Sequence, residues 1–241
     1  MSIRTSSKGE AQMLGNRKIY GENIKCTLIG DKYVGKTSML LSYQTDTYPS
    51  HYVPTTLDTY SKSIPYNGKV INLQLYDIGG KEDLGNFEEQ GRIGTDVFLL
   101  CFSLDSRDSF TSTSTKWIEQ IQQYWLSSMS SNDKAGTRDT TGKEYQPIII
   151  LVGCKNDKCN VSPLLSEIRR HRPSRKNDPR NSLDSMSLVT SKEAIRLKQR
   201  IGAYLYTECS ARNGTGITET FNAAINAVLQ RRSYTTPIRY I

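Results

Sequence analysis

Two stretches of the chain, Asp96-Val97-Phe98-Leu99-Leu100-Cys101-Phe102 and Pro147-Ile148-Ile149-Ile150-Leu151-Val152-Gly153, are apolar almost without a break. A strand wetted on one side alternates apolar with polar residues, whereas an unbroken run fits a strand covered on both faces. Ile24-Lys25-Cys26-Thr27-Leu28-Ile29-Gly30 reads as a third buried strand, ending at glycine. Lys36 to about Tyr43 and residues 190–201 read as helices, and helical spacing marks two more: residues 108–126 (Phe110, Trp117, Ile121, Trp125) and the face from Ile217 through Phe221, Ala224, Ile225 and Val228 to Leu229. Ala203–Glu208 reads as a short strand. Ser61–Tyr66 and Lys69–Asp77 read as a hairpin turning at Asn67-Gly68, a residue pair suited to positive φ at both positions. Ile71, Leu73 and Leu75 fall on one face of its second strand. Together these elements predict an α/β domain with a mostly parallel six-stranded sheet, one antiparallel edge strand and helices on both faces.

At 241 residues the chain suits one domain with extra segments. Residues 1–22 are polar and are expected to be poorly ordered, residues 23–231 to form the domain, and residues 232–241 to form a tail. The domain is interrupted near 127–146, a Ser/Asp/Gly/Thr-rich stretch, and near 158–189. The second interruption carries Arg169, Arg170, Arg172, Arg175, Lys176 and Arg180 against Asp178. Loops this long are commonly functional or disordered. The net charge of +8 suits acidic partners as well as plain solubility. The basic segment is accordingly read either as a solvated insertion or as a salt-sensitive contact with anionic membrane. Five cysteines without a CxxC pair, with two histidines, argue against a zinc site. The N-terminus lacks the apolar core of a secretory signal, and no run has the length of a membrane span. These features predict a cytoplasmic monomer, with at most peripheral membrane contact and no nucleic-acid polymer as partner.

Gly30-Asp31-Lys32-Tyr33-Val34-Gly35-Lys36-Thr37 fits G-x-x-x-x-G-K-S/T and sits where that motif must sit, after a strand and before a helix. The chemistry needs this order. Glycines let the backbone wrap a phosphate, and N–H groups from Gly30, Lys32, Tyr33, Val34, Gly35, Lys36, Thr37 and Ser38 face its oxygens at a helix N-terminus. Lys36 reaches the β- and γ-phosphates and Thr37 holds Mg²⁺. This places the domain among P-loop NTPase folds. Asp77-Ile78-Gly79-Gly80 ends a strand about 40 residues later. Isolated, it is an ordinary turn, but after a phosphate loop Asp77 can orient Mg²⁺ and the Gly80 amide can approach the γ-phosphate. Gly153-Cys154-Lys155-Asn156-Asp157 follows a buried strand. A carboxylate there can accept from guanine N1–H and the exocyclic amine, while adenine presents an acceptor at N1. Cys209-Ser210-Ala211 follows the last strand and can offer a backbone N–H to a base oxygen.

The order and spacing of these elements resemble the Ras-like superfamily of small GTPases. Local sequence is similar to its Rho-like branch. Tyr52-Val53-Pro54-Thr55-Thr56 resembles Y-I/V-P-T-V, Thr95–Leu104 is close to T-D-V-F-L-I-C-F-S-L, Glu208–Ala211 reads E-C-S-A, and an extra segment follows Asp157. The resemblance covers roughly residues 23–231 and implies a guanine-nucleotide-binding switch that takes GTP, GDP and Mg²⁺. By it, Thr37 and Thr55 contact Mg²⁺ beside Asp77, Gly80 senses the γ-phosphate, and Tyr48 packs on the base. Lys155, Asp157, Ser210 and Ala211 form the base pocket. Effector proteins would bind Tyr52–Thr56 and Gly80–Phe87, with exchange factors and GTPase-activating proteins as regulators.

Three positions and the C-terminal stretch depart from the family pattern. Cys154 replaces a Thr or Asn, which bonds hydrogen better. Lys32 replaces a glycine in the phosphate loop. Lys81 stands where a glutamine orients the attacking water, so that the catalytic group reads Lys36, Gly80 and Lys81, with hydrolysis expected to be slow. The sequence from Arg231 to Ile241 has no cysteine for C-terminal prenylation, and none is expected. Three readings compete: a switch cycling between GTP and GDP, a non-hydrolysing GTP-bound module regulated by abundance or exchange, and another P-loop enzyme such as a small kinase. Lys155/Asp157 and Ser210/Ala211 argue against the third, and Lys32 and Lys81 favour the second over an efficient switch.

Overall fold

The computed structural model describes residues 11–14, 17–49, 57–79, 94–130, 146–159 and 188–235. Expectations placed on Tyr52–Thr56 (with Thr55), on Gly80–Phe87 (with Gly80 and Lys81), on Arg169–Arg180 and on the last six residues lie outside them.

The elements in chain order are β1 (Ala11–Leu14), β2 (Arg17–Tyr20), β3 (Glu22–Ile29), α1 (Lys36–Thr45), β4 (Leu57–Tyr66), β5 (Lys69–Ile78) and β6 (Val97–Ser103). After β6 come α2 (Arg107–Ser112), a π turn (Thr113–Trp117), α3 (Ile118–Ser130), β7 (Ile148–Cys154), α4 (Ser191–Arg200), β8 (Leu205–Cys209) and α5 (Ile217–Thr235). Six strands form one sheet in the order β4-β5-β3-β6-β7-β8, parallel except for the β4–β5 pair. Asn67 and Gly68 both have positive φ, as the hairpin turn requires.

Strand β6 is buried along its whole length. Val97, Leu99 and Cys101 join a core with Met39 and Leu40 of α1 and with Phe221, Ile225 and Val228 of α5. Phe98, Leu100 and Phe102 join the opposite core with Trp117, Ile121, Ala194 and Leu197. Helices therefore cover both faces, and the missing alternation in β6 has its cause in two apolar environments. Phe221 stacks on Tyr43 with ring centroids 4.0 Å apart, fastening α5 to α1.

Strand β4 begins at Leu57, earlier than the Ser61 start read from sequence. Leu57–Tyr60 carry no apolar alternation, because backbone pairing with β5 and not burial forms this end. The N-terminal segment, read as poorly ordered, contains a ladder in which Leu14 pairs with Arg17 and Ala11 with Tyr20. The signal passed over is Gly15-Asn16, a residue pair suited to a two-residue hairpin. Helix α3 runs on through Ser127–Ser130, and α5 runs to Thr235, past the boundary read at Arg231. Arg232 donates from Nη2 to Asp96 Oδ1 (2.8 Å) and from Nη1 to Asn23 O (3.0 Å), so this turn of α5 belongs to the domain.

Helix α4 starts at a capping box. Thr190 Oγ1 accepts from Glu193 N (3.3 Å), and Glu193 Oε2 accepts from Thr190 N (2.9 Å). Arg107 of α2 donates to Glu193 Oε1 (2.5 Å). The Arg107 bond first, and the Thr190 bonds after it, hold the Glu193 carboxyl down to about 2. A depressed carboxyl stabilises the fold above its unfolded pKa, and that contribution is lost as pH falls from about 4.5 towards about 2. Glu193 is partly solvent-exposed, which screens the effect. We expect Glu193→Gln to be less stable than the wild type near neutral pH and to lose less stability on acidification. Urea midpoints at about pH 5 and about pH 3 check this, and equal losses in both proteins would contradict it.

Candidate guanine-nucleotide site

The sheet changes winding direction around β3, whose neighbours β5 and β6 both follow it in sequence. In open α/β sheets, ligands bind beyond the carboxyl ends of the strands at such a switch point. The phosphate loop begins there. Gly30 lies at φ 147° directly against β6, and a Cβ built on it would stand 2.1 Å from the Cys101 carbonyl oxygen. Gly35, at φ 114°, caps α1 in a left-handed conformation. Between them Val34 is buried, so any part it takes in phosphate binding is through its backbone. Lys32 and Tyr33 are exposed.

Lys36 is 5% exposed and its Nζ donates to the carbonyls of Gly30 and Asp31, both at 2.8 Å. Burial pulls its pKa below the ordinary lysine value, against the opposing charge of Asp77. The Thr37 hydroxyl donates to Asp77 Oδ2. Asp77 is fully buried at the end of β5. A hydroxyl and a carboxylate side by side form a hard oxygen donor set, which suits Mg²⁺ completed by phosphate and water.

On the base side, Lys155 adopts φ 63° and turns the chain into a single 3₁₀ turn, Asn156–Lys158. The Ser210 hydroxyl is buried and donates to Asp157 Oδ1 at 2.6 Å. Ser210 Oγ in turn accepts from the backbone N–H of Arg212 (3.2 Å) and Asn213 (3.4 Å). Asp105 accepts from Lys158 and from Ser103, and lies 3.8 Å from the Lys155 ammonium. Burial alone would raise the Asp105 carboxyl, but these hydrogen bonds and charges hold it below its ordinary value. Cys154 is 2% exposed and packs beside Gly35. Anchoring of its loop comes instead from Asp105, from Ser210 and from Thr215, whose hydroxyl reaches Asn156 Oδ1 at 3.2 Å.

A cavity of about 270 Å³ joins these parts, lined by Gly35, Ser38, Tyr48, Cys154, Lys155, Asp157, Ala211 and Arg212 among others. An adjoining space of about 290 Å³ lies between Tyr48 and Arg212–Thr218. Residues 25–230 match the family model described as Ras family. The chain belongs to the Ras family. Small GTPases of this family bind GTP and GDP with Mg²⁺ and act as switches, working with effectors, exchange factors and GTPase-activating proteins. The six-stranded sheet with its single antiparallel pair is the P-loop NTPase architecture of this GTPase family.

For this Ras-family chain the structure brings together the sequence-derived Gly30, Gly35, Lys36, Thr37 and Asp77 on the phosphate side. It brings together Ser38, Tyr48, Lys155, Asp157 and Ala211 around one cavity, with Ser210 behind Asp157. Thr55, Gly80 and Lys81 lie outside the described residues. Sequence reasoning missed Asp105, the Ser42 hydroxyl that reaches Ala211 O (3.2 Å), and Trp117, whose Nε1 donates to Asp31 Oδ1. Each pairs positions far apart in the chain, and no local pattern signals such a pairing. Gly30→Ala is expected to separate the phosphate loop from β6, costing at least ~1–3 kcal/mol from overpacking and lowering nucleotide affinity. Thermal unfolding with and without nucleotide tests this, and an unchanged midpoint with unchanged ligand stabilisation would count against the close approach.

Proposed function

We propose that this Ras-family protein is a Rho-like guanine-nucleotide switch that hydrolyses GTP slowly and remains mostly GTP-bound. Asp157 at the wall of the cavity, held from behind by Ser210 and close to the phosphate loop, carries the nucleotide part of this reading. Asp157 is held by a buried donor, so its remaining acceptor capacity can face N1–H and the amine of guanine. Adenine would set its N1 lone pair against the carboxylate, leaving a polar group unpaired. Lys36 would reach the phosphates, and Thr37 and Asp77 would hold Mg²⁺, which neutralises charge on the β- and γ-phosphate oxygens. Tyr48 would cover the base. Support for the Rho-like branch comes from Tyr52–Thr56, Thr95–Leu104, Glu208–Ala211 and the segment after Asp157.

We expect GTP and GDP to bind tightly in Mg²⁺ and ATP to be rejected. Asp157→Ala is expected to weaken guanine binding by about tenfold or more, a loss of at least ~1.4 kcal/mol, and to narrow the preference. Competition of GTP and ATP against a fluorescent guanine nucleotide measures both. Equal affinity for GTP and ATP in the wild type would refute the assignment.

Hydrolysis depends on positioning water and stabilising charge. A protonated Lys81 has donors only and cannot accept a hydrogen bond from the attacking water. Lys32 adds a long, exposed side chain to the phosphate loop, where an activating arginine would enter. Its charge can bind the γ-phosphate in the ground state, but that alone does not speed the chemical step. The second reading, a GTP-bound module regulated by abundance or exchange, holds if hydrolysis is absent altogether. Single-turnover phosphate release from the wild type, Lys32→Gly, Lys81→Gln and the double variant separates these readings. The double variant should gain most. Wild-type turnover at the level of an ordinary Rho-like protein, with no gain on substitution, would show the lysines accommodated in a competent site.

A further inference from the structure

The helical stretch after β6 is not one continuous α-helix. It carries the run Thr111-Ser112-Thr113-Ser114-Thr115, and its hydroxyls capture backbone carbonyls. Thr113 Oγ1 donates to Phe110 O (2.5 Å), Ser114 Oγ to Thr111 O (3.0 Å) and Thr115 Oγ1 to Thr111 O (3.2 Å). Such bonds compete with the helix ladder, and here the chain widens into a π turn over Thr113–Trp117. The extra residue of a π turn rotates the downstream helix by ~100° relative to an uninterrupted α-helix.

Trp117 closes that turn and is 1% exposed. A tryptophan so buried needs a partner for its N–H. Its Nε1 donates to Asp31 Oδ1 at 2.7 Å, inside the phosphate loop. The carbonyl of Asp31 in turn accepts from Lys36 Nζ at 2.8 Å. A chain of two bonds thus runs from the π turn through Asp31 to the lysine of the loop. Donation to a carboxylate is among the stronger hydrogen bonds. At its far end the loop has Gly35, at φ 114°, and a glycine backbone is the easiest to reorder.

We propose that Trp117 is a positioning residue for the phosphate loop. Through Asp31 it holds the loop in the shape that places Lys36, and so lengthens the residence of bound guanine nucleotide. A loop held in advance loses less conformational freedom on binding, so the bound state is favoured. The proposal rests on the guanine-nucleotide reading above.

The test uses the full chain loaded with a fluorescent GDP analogue in Mg²⁺ and chased with excess GDP. Trp117→Phe keeps an aromatic ring and removes the N–H, and dissociation should quicken about tenfold, which corresponds to ~1.4 kcal/mol. Asp31→Ala should match it, and the double variant should be no faster than either single one. Asp31→Asn keeps an acceptor oxygen and should return the rate to near the wild-type value. Ile121→Val removes a buried methyl from the same core without touching the bond, and should leave the rate unchanged. A readout independent of nucleotide is the indole N–H resonance. The chain has two tryptophans, so two such signals exist, and the Trp117 signal should move in Asp31→Ala and stay in Asp31→Asn.

Wild-type dissociation in Trp117→Phe overturns the proposal. So does Asp31→Asn as fast as Asp31→Ala, or Ile121→Val as fast as Trp117→Phe. A chain that holds no guanine nucleotide overturns the functional reading and this role with it. A chain that holds the nucleotide while its Trp117→Phe form releases it at the wild-type rate overturns this role alone.

Discussion

The contact on which the site is built is the seat of Gly30 on the Cys101 carbonyl. No side chain fits between them. The first residue of the phosphate loop therefore rests on the central strand of the sheet, with backbone against backbone. The two cores that grip β6 from either face fix where that carbonyl lies. Burial on both sides of one strand, an event far from any ligand, thereby sets the height of the phosphate loop. Interiors packed this densely do not yield by fractions of an ångström without cost.

The two ends of the sheet use charge differently. At the carboxyl end, Lys36 and Asp77 are buried close together, and burial lowers the lysine's affinity for its proton while Asp77 restores part of it. Such an arrangement costs desolvation and is kept where charge must meet charge. At the amino end, Asp96 collects the backbone N–H of Lys25 at 2.9 Å and the guanidinium of Arg232 at 2.8 Å. Arg231 adds bonds to Asp96 O (3.1 Å) and Gln146 O (3.2 Å). These groups lie partly in solvent and tie the last helix to the start of β3 and β6.

Much of this was legible in the sequence because the signals are local. Unbroken apolar runs mark β6 and β7, Asn67-Gly68 marks the hairpin, and the loop from Gly30 to Thr37 declares its own context. The face Ile217, Phe221, Ala224, Ile225 and Val228 is buried as its spacing implies. The start of β4 escaped because its residues are held by pairing and carry no burial pattern. The π turn escaped because a Thr/Ser run reads as a weak helix, and hydroxyl capture of carbonyls has no periodicity. The bond from Trp117 to Asp31 escaped for a different reason. It joins residues whose distance along the chain says nothing of their distance in space, whereas Asp157 and Ser210 were expected in one base pocket by the family resemblance.

Cys154 and Cys209 are paired across the β7–β8 ladder, and each is followed at once by a base-side loop. The strands that deliver Asp157 and Ser210 are accordingly one sheet spacing apart, ~4.8 Å, and the two side chains meet although 53 positions separate them in sequence. Closing a longer excursion costs only ~0.6 kcal/mol per doubling of its length. The placing of Asp157 against Ser210 is therefore indifferent to how much chain intervenes between Cys159 and Leu188. The carboxylate and its donor are held by the ladder, so the connection can vary in length at little cost in closure entropy and without moving either.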